Sequence, residues 1–153
     1  MSDWATTARM LAEVTLAEGM IIRGDLHLMA RTATHEGAET ALEMLNRPLP
    51  FFPLTLPNGD VLFISKPQVA HVATAGAAAL PDPDRISVAK LVGLSVMMRG
   101  GAEFRGYSTV ELPPAYSRPI DFLNAPEQFF AISAKDFTLY INRAHVRVAR
   151  PIS

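Results

Sequence analysis

"VTLAEGMIIRG" (Val14–Gly24) and "VMMRGGAEFRG" (Val96–Gly106) are two stretches of one chain that share a pattern. Aligned, they match at an initial valine, a central glycine and a final Arg-Gly step. The central glycines are Gly19 and Gly101. Glycine readily supplies the positive φ of a tight turn, so each stretch predicts two strands joined by a hairpin. A pattern written twice indicates an internal repeat, which constrains the whole fold.

The repeat continues downstream of both stretches. Residues 41–52 read "ALEMLNRPLPFF" and residues 119–130 read "PIDFLNAPEQFF", sharing Leu-Asn, a following proline and Phe-Phe. Residues 61–69, "VLFISKPQV", match residues 138–146, "TLYINRAHV", at a leucine, an isoleucine, a basic residue and a final valine. The offset falls from 82 to 78 to 77 residues only where loops are expected. We therefore predict a tandem duplication.

A linker separates the two predicted copies. We assign the first copy to residues 1–73 and the second copy to residues 86–153. Residues 74–85, "TAGAAALPDPDR", are rich in alanine and then alternate proline with aspartate. Proline stiffens the backbone and removes hydrogen-bond donors, which is typical of linkers. An ordinary surface loop within one domain is the alternative.

The Arg-Gly step lies inside the predicted second strand of each copy. Glycine within a strand usually marks a bulge or a sharp bend. Gly24 and Gly106 would let a long strand bend so that a small sheet closes on itself. Arg23 and Arg105 then occupy equivalent places in the two copies, either on a solvated strand face or on an interaction surface.

A short helix and further strands follow in each copy. Leucines such as Leu42 and Leu45 recur at helical spacing. Asn46 and Asn124 each precede a proline by two residues, which predicts that they end the helices as C-caps in left-handed geometry. Asn58-Gly59 is a strong hairpin signal between two later strands.

A phenylalanine doublet follows the predicted helix in each copy. The doublets are Phe51-Phe52 and Phe129-Phe130. Exposed aromatic rings can stack on nucleic-acid bases. At matching strand positions in an apolar context, however, such rings are more typical of a core. We therefore predict core positions for the doublets.

These signals give each copy about five strands and one short helix. That inventory predicts a mainly β protein made of two tandem small barrels of the SH3-like or Sm-like kind. A unit of about 65 residues is only marginally stable alone. Two copies that share an apolar surface would relieve that weakness.

The order of signals resembles a family of small bacterial proteins with SH3-like or Sm-like β-barrels. "SRPIDFLN" (117–124) carries the resemblance best, with the bent-strand glycine and the "I-x-basic" turn. The resemblance implies a small barrel in each half. Sm proteins have a much shorter interval between glycine and asparagine. They also have a basic-Gly pair where this chain has Lys66-Pro67 and Arg143-Ala144. RNA binding is therefore not carried over.

Composition excludes several classes of protein. The chain has 153 residues, is 49% hydrophobic, has a net charge of −1 and contains no cysteine. Disorder is disfavoured, and near-neutral charge argues against a general nucleic-acid binder. Disulfides and thiolate chemistry are excluded. The sequence predicts neither a signal peptide nor a spanning helix, so a cytoplasmic location is expected.

No pattern in the sequence predicts an enzyme. The four histidines form no metal-binding motif, and phosphate-binding and nucleophile-elbow motifs are absent from the sequence. We therefore expect no catalytic, metal or cofactor site.

Charge is divided unevenly along the chain. Residues 1–80 carry 8 acidic and 5 basic residues, whereas residues 81–153 carry 7 acidic and 9 basic residues. Arg143, Arg147 and Arg150 form the strongest basic cluster and, with Arg23 and Arg105, are the candidate interaction surface. A solvated strand face is the bland alternative. A charge-complementary contact with a protein, including a second copy, would use them.

The predicted function is therefore a non-enzymatic scaffold or adaptor that binds a protein partner or itself. Small barrels offer strand edges to which another strand can be added. Binding of RNA or nucleotide in the manner of Sm proteins is the alternative.

Overall fold

The computed structural model describes residues 8–29, 39–76, 90–110 and 118–152. The described part of the first half contains one short helix and five strands. They run in the order β1 (Ala8–Leu16), β2 (Ile21–Leu28), α1 (Ala41–Asn46), β3 (Phe51–Thr55), β4 (Val61–Ser65) and β5 (Val69–Ala75). A 3₁₀ turn, Lys66–Gln68, precedes β5.

The described part of the second half has the same order of elements. They are β6 (Lys90–Met98), β7 (Glu103–Val110), α2 (Pro119–Leu123), β8 (Phe129–Ser133), β9 (Phe137–Asn142) and β10 (Val146–Ile152). A 3₁₀ turn, Arg143–His145, precedes β10. The prediction of a mainly β protein is confirmed.

The ten described strands form one open antiparallel sheet. Their order is β10-β6-β7-β8-β9-β5-β1-β2-β3-β4. The two halves meet at the pairing of β5 with β9. Because that pairing makes the sheet continuous, the described strands do not form two separately closed sheets, and a tandem pair of barrels stays a prediction.

Three predicted hairpin turns are confirmed. Gly19 and Gly101 have φ values of 94° and 93° in the turns β1–β2 and β6–β7. Gly59 has a φ of 93° between β3 and β4. In all three turns the glycine adopts the left-handed region that other residues avoid.

Gly24 and Gly106 are needed for close approach of neighbouring strands. A Cβ atom on Gly24 would lie 2.6 Å from the carbonyl oxygen of Thr55 in β3. A Cβ atom on Gly106 would lie 2.7 Å from the carbonyl oxygen of Ser133 in β8. The missing side chain lets the second strand of each half pass directly over the strand that follows the helix.

The helix boundaries correct one prediction. Thr40 and Glu43 form a reciprocal capping box at the start of α1, with hydrogen bonds of 3.1 and 2.9 Å. Asn46 is the last residue of α1, and Asn124, the C-cap of α2, has a φ of −88°. The predicted left-handed caps are therefore wrong. Asn46 instead uses its side chain in a contact between the halves.

The buried residues form two apolar clusters, one for each half. Phe52 belongs to the first cluster and Phe130 to the second, and each is 2% exposed. Phe129 of the second half is buried in the first cluster. Ala70 and Ala73 of the first half pack against the second. Each core is thus completed by residues from the other half.

The division into a first copy, a linker and a second copy stays a prediction. Strand β5 extends to Ala75, so residues 74 and 75 of the predicted linker lie in a strand. Residues 77–85 lie outside the described residues.

Candidate interaction surface

The junction is the antiparallel pairing of β5 with β9. It runs over five residue pairs, from His71 opposite Ile141 to Ala75 opposite Phe137. One face of this ribbon contributes Val72 and Tyr140 to the first core. The junction therefore joins two halves edge to edge and also buries apolar side chains.

Asn46 makes the most direct polar contact across the junction. Its Oδ1 accepts a 2.8 Å hydrogen bond from the backbone N–H of Phe129, and its Nδ2 donates a 3.1 Å hydrogen bond to the Phe129 carbonyl. Phe129 is only 1% exposed, so water cannot readily replace these bonds. The end of α1 is thereby fixed to the start of β8.

Two further side chains of the second half bind the 3₁₀ turn before β5. The Asn142 Nδ2 donates to the carbonyls of Lys66 and Val69, at 3.3 and 2.9 Å. A ring nitrogen of His145 lies 2.8 Å from the Pro67 carbonyl oxygen. The Lys66 carbonyl also accepts from the backbone N–H of Val69, so these bonds tie the second half to a turn that is already formed.

His71 lies on the face of β5 that is directed towards the second half. Its ring meets the ring of Phe104 edge-on, with centroids 4.8 Å apart. Burial lowers the pKa of His71 below its ordinary value, although Glu13 opposes the shift. The folded state therefore favours the neutral imidazole over the charged one.

Lys66 and Arg143 hold the ends of the two helices. The buried Lys66 Nζ donates to the carbonyls of Met44 and Arg47, at 3.1 and 2.9 Å. Burial, with a contribution from Arg47, lowers the pKa of Lys66 to about 8. In the second half, Arg143 donates to the carbonyls of Leu123 (3.0 Å), Phe122 (2.9 Å) and Glu127. Arg143 is thus bound within the chain.

The other arginines of the predicted surface lie apart from one another. Arg147 and Arg150 are both exposed on β10, and Arg150 lies 3.8 Å from Glu103. Arg23 is exposed on β2 and forms a 2.9 Å ion pair with Glu13. Arg105 is exposed on β7. Of the five arginines, only Arg147 and Arg150 lie on the same strand, β10, at one end of the sheet.

The two ends of the sheet are its free edges. In the described part of the chain, β4 has β3 as its only strand neighbour, and β10 has only β6. Phe63 lies on β4 and is 63% exposed, and Phe51 lies on the neighbouring strand β3 and is 54% exposed. Val148 lies on β10 and is 55% exposed. We call the end of the sheet formed by β4 the β4 edge, and the end formed by β10 the β10 edge.

Sequence reasoning did not identify the β4 edge or the junction. Phe51 and Phe129 occupy the same place in their halves, yet only Phe129 is buried, so the predicted core position is wrong for Phe51. The sequence carries no signal that separates the two rings, because the difference arises from the strands that lie next to them.

A cleft of about 1660 Å³ opens between the halves. Its lining includes Leu28, Arg105, Tyr107, Thr138 and Tyr140. We assign no ligand to it.

Two kinds of feature are absent from the described ranges. No helix there is long and apolar enough to cross a membrane. No group of three or more histidine or acidic side chains there is arranged to hold a metal ion.

Comparisons of the chain with protein-family models, with curated proteins and with solved structures gave no match.

Proposed function

We propose that this protein is a non-enzymatic scaffold or adaptor that associates with protein through the edges of its sheet. In this proposal the two halves are duplicated small barrels, similar to SH3-like and Sm-like domains, that act as one cytoplasmic unit. The single observation that carries the proposal is that, among the described residues, the continuous sheet ends in two strands that have a strand neighbour on one side only. Unpaired strand edges are templates for adding another strand.

Exposed apolar residues at both edges support this proposal. Phe51, Phe63 and Val148 are all more than half exposed. Isolated apolar residues are normal on a surface, but two exposed phenylalanines on neighbouring strands at one end of the sheet favour contact with another protein.

The alternative, RNA or nucleotide binding, receives less support from the basic residues. Arg143 is occupied by backbone carbonyls, and Arg23 has a carboxylate partner. Phosphate binding depends on clustered positive charge that is available to the ligand.

The test compares affinity capture by three tagged baits: wild type, Phe51→Glu and Val148→Glu. The exposed substitutions keep the fold and add charge at one edge each. We expect wild type to capture a defined protein that at least one edge variant loses. RNA titration at low and high salt runs beside it. The proposal would be contradicted if both edge variants captured the same proteins as wild type. Tight, salt-sensitive RNA binding that Arg143→Ala/Arg147→Ala abolishes would also contradict it.

A further inference from the structure

We infer that the β10 edge of one copy pairs with the β4 edge of a second copy of this chain, repeating the junction between molecules. The inference rests on the proposed function, because it names the partner and the surface for association through strand edges. The contact is head to tail, since each copy contributes a different edge.

The junction itself provides the geometry of this contact. β4 holds the same place in the first half that β9 holds in the second, and β10 likewise corresponds to β5. Shifting the register by the 77-residue repeat places Val148 opposite Ile64 where His71 lies opposite Ile141. The same shift places Arg150 opposite Leu62. The two free edges are therefore the two sides of one interface, separated on one chain.

Unequal burial of equivalent residues supports a second copy as the occupant. Phe129 is 1% exposed because the first half covers it, whereas its equivalent Phe51 is 54% exposed. Tyr140 packs against the first core, whereas its equivalent Phe63 is 63% exposed. A second copy would cover the β4 edge with its own second half.

The Asn46 contact of the junction has a counterpart at the free edges. In the junction, the Asn46 side chain forms hydrogen bonds with the backbone N–H and carbonyl of Phe129. Asn124 is exposed at the end of α2, where it corresponds to Asn46. In the paired state, Asn124 would form the same two hydrogen bonds with the backbone of Phe51 of the second copy.

Charge favours the same orientation. β10 carries Arg147 and Arg150. The β4 edge belongs to the half with 8 acidic and 5 basic residues, and the exposed Asp60 directly precedes β4. Opposite charges at a rim speed association and disfavour pairing of two like edges.

Pro151 makes the contact between copies weaker than the junction within one chain. The N–H of Gly76 donates to the Asp136 carbonyl at 2.8 Å. Because donors alternate along a strand, those of Val72 and Thr74 also face β9. Pro151 corresponds to Thr74 and has no N–H. The ladder between copies therefore lacks one donor.

The experiment is sedimentation velocity of the full chain across a wide range of concentrations. We expect wild type to self-associate, and Phe51→Glu and Val148→Glu each to weaken association at least tenfold. Each variant keeps one intact edge, so an equal mixture should form a heterodimer that grows no further. Leu11→Glu, at an exposed leucine of β1 within the sheet, is the matched control and should behave as wild type.

Pro151→Thr tests the register by a gain. It restores the donor found at Thr74, and one added hydrogen bond should tighten self-association roughly two- to tenfold. Circular dichroism and thermal unfolding at low concentration establish that each variant folds.

Three results overturn the inference: a wild type that stays monomeric at every concentration, a mixture that forms no heterodimer, or either edge variant associating as wild type does. The last result includes symmetric pairing of two β4 or two β10 edges. A monomeric wild type that still captures another protein through an edge overturns this inference and leaves the adaptor proposal standing.

Discussion

Replacing Asn46 and Asn124 by alanine, separately, tests the asymmetry between the junction and the free edge. Both residues end a short helix, so any gain in helix propensity from alanine is the same and cancels in the comparison. They differ in what the amide binds. Asn46 holds both backbone groups of Phe129, whereas Asn124 is exposed.

The magnitude follows from the fate of the Phe129 backbone. In Asn46→Ala its carbonyl keeps a long 3.4 Å hydrogen bond from Arg143, but its buried N–H loses the Asn46 acceptor. A buried donor without a partner costs about 1–3 kcal/mol, and the second lost bond adds about 1 kcal/mol. We therefore expect Asn46→Ala to lower the free energy of unfolding by about 2–4 kcal/mol. Asn124→Ala, where water replaces the amide, should cost less than about 0.5 kcal/mol.

Denaturant unfolding followed by circular dichroism measures both values. Low protein concentration keeps the chain monomeric, so that association between copies does not contribute. A difference of 2 kcal/mol corresponds to roughly 4–8 °C in melting temperature for a chain of this size. Equal losses in the two variants would refute the reasoning, because they would mean that the junction bond carries no more energy than an exposed amide.

Three other predictions follow from buried positions. Gly24→Ala and Gly106→Ala should each cost about 1–3 kcal/mol, because the new Cβ meets a backbone carbonyl that cannot rotate away; thermal unfolding measures both, and a neutral result at either site would contradict the close approach. Phe52→Ala and Phe130→Ala should each cost about 3–5 kcal/mol by denaturant unfolding, and a clearly smaller loss at one would mean that its core is looser. Because the folded-state pKa of Lys66 is lowered to about 8, the unfolded chain holds more protons above that pH. The free energy of unfolding should then rise between about pH 8 and pH 10.5 in wild type relative to Lys66→Met, and a flat difference would show that Lys66 titrates normally.

Local sequence patterns were enough to place most elements. Gly19, Gly101 and Asn58-Gly59 identified hairpins because a turn depends on a few adjacent residues. Phe52 and Phe130 were predicted as core from matching positions and are buried. These features follow from local geometry, which a single sequence displays directly.

The pairing between the halves depends on contacts that no local pattern displays. Phe51 and Phe129 head the same doublet, and only their neighbours in space separate an exposed ring from a buried one. The asparagine prediction failed for the same reason, since Asn46 is satisfied by a strand far along the chain rather than by its own helix. Lys66 was likewise interpreted only as a turn residue. Its hydrogen bonds to the carbonyls of Met44 and Arg47 at the end of α1 are visible only in the folded structure.

The pairing of β5 with β9 has a consequence for the order of synthesis. β5 is complete at residue 75, but its neighbour begins only at residue 137. At about 5–20 residues per second, the ribosome needs roughly 3–12 s to make the intervening chain. Throughout that interval, β5 of the nascent chain has no β9 of the same chain to pair with. The β9 strand of another chain has the same sequence and would pair with it in the same register.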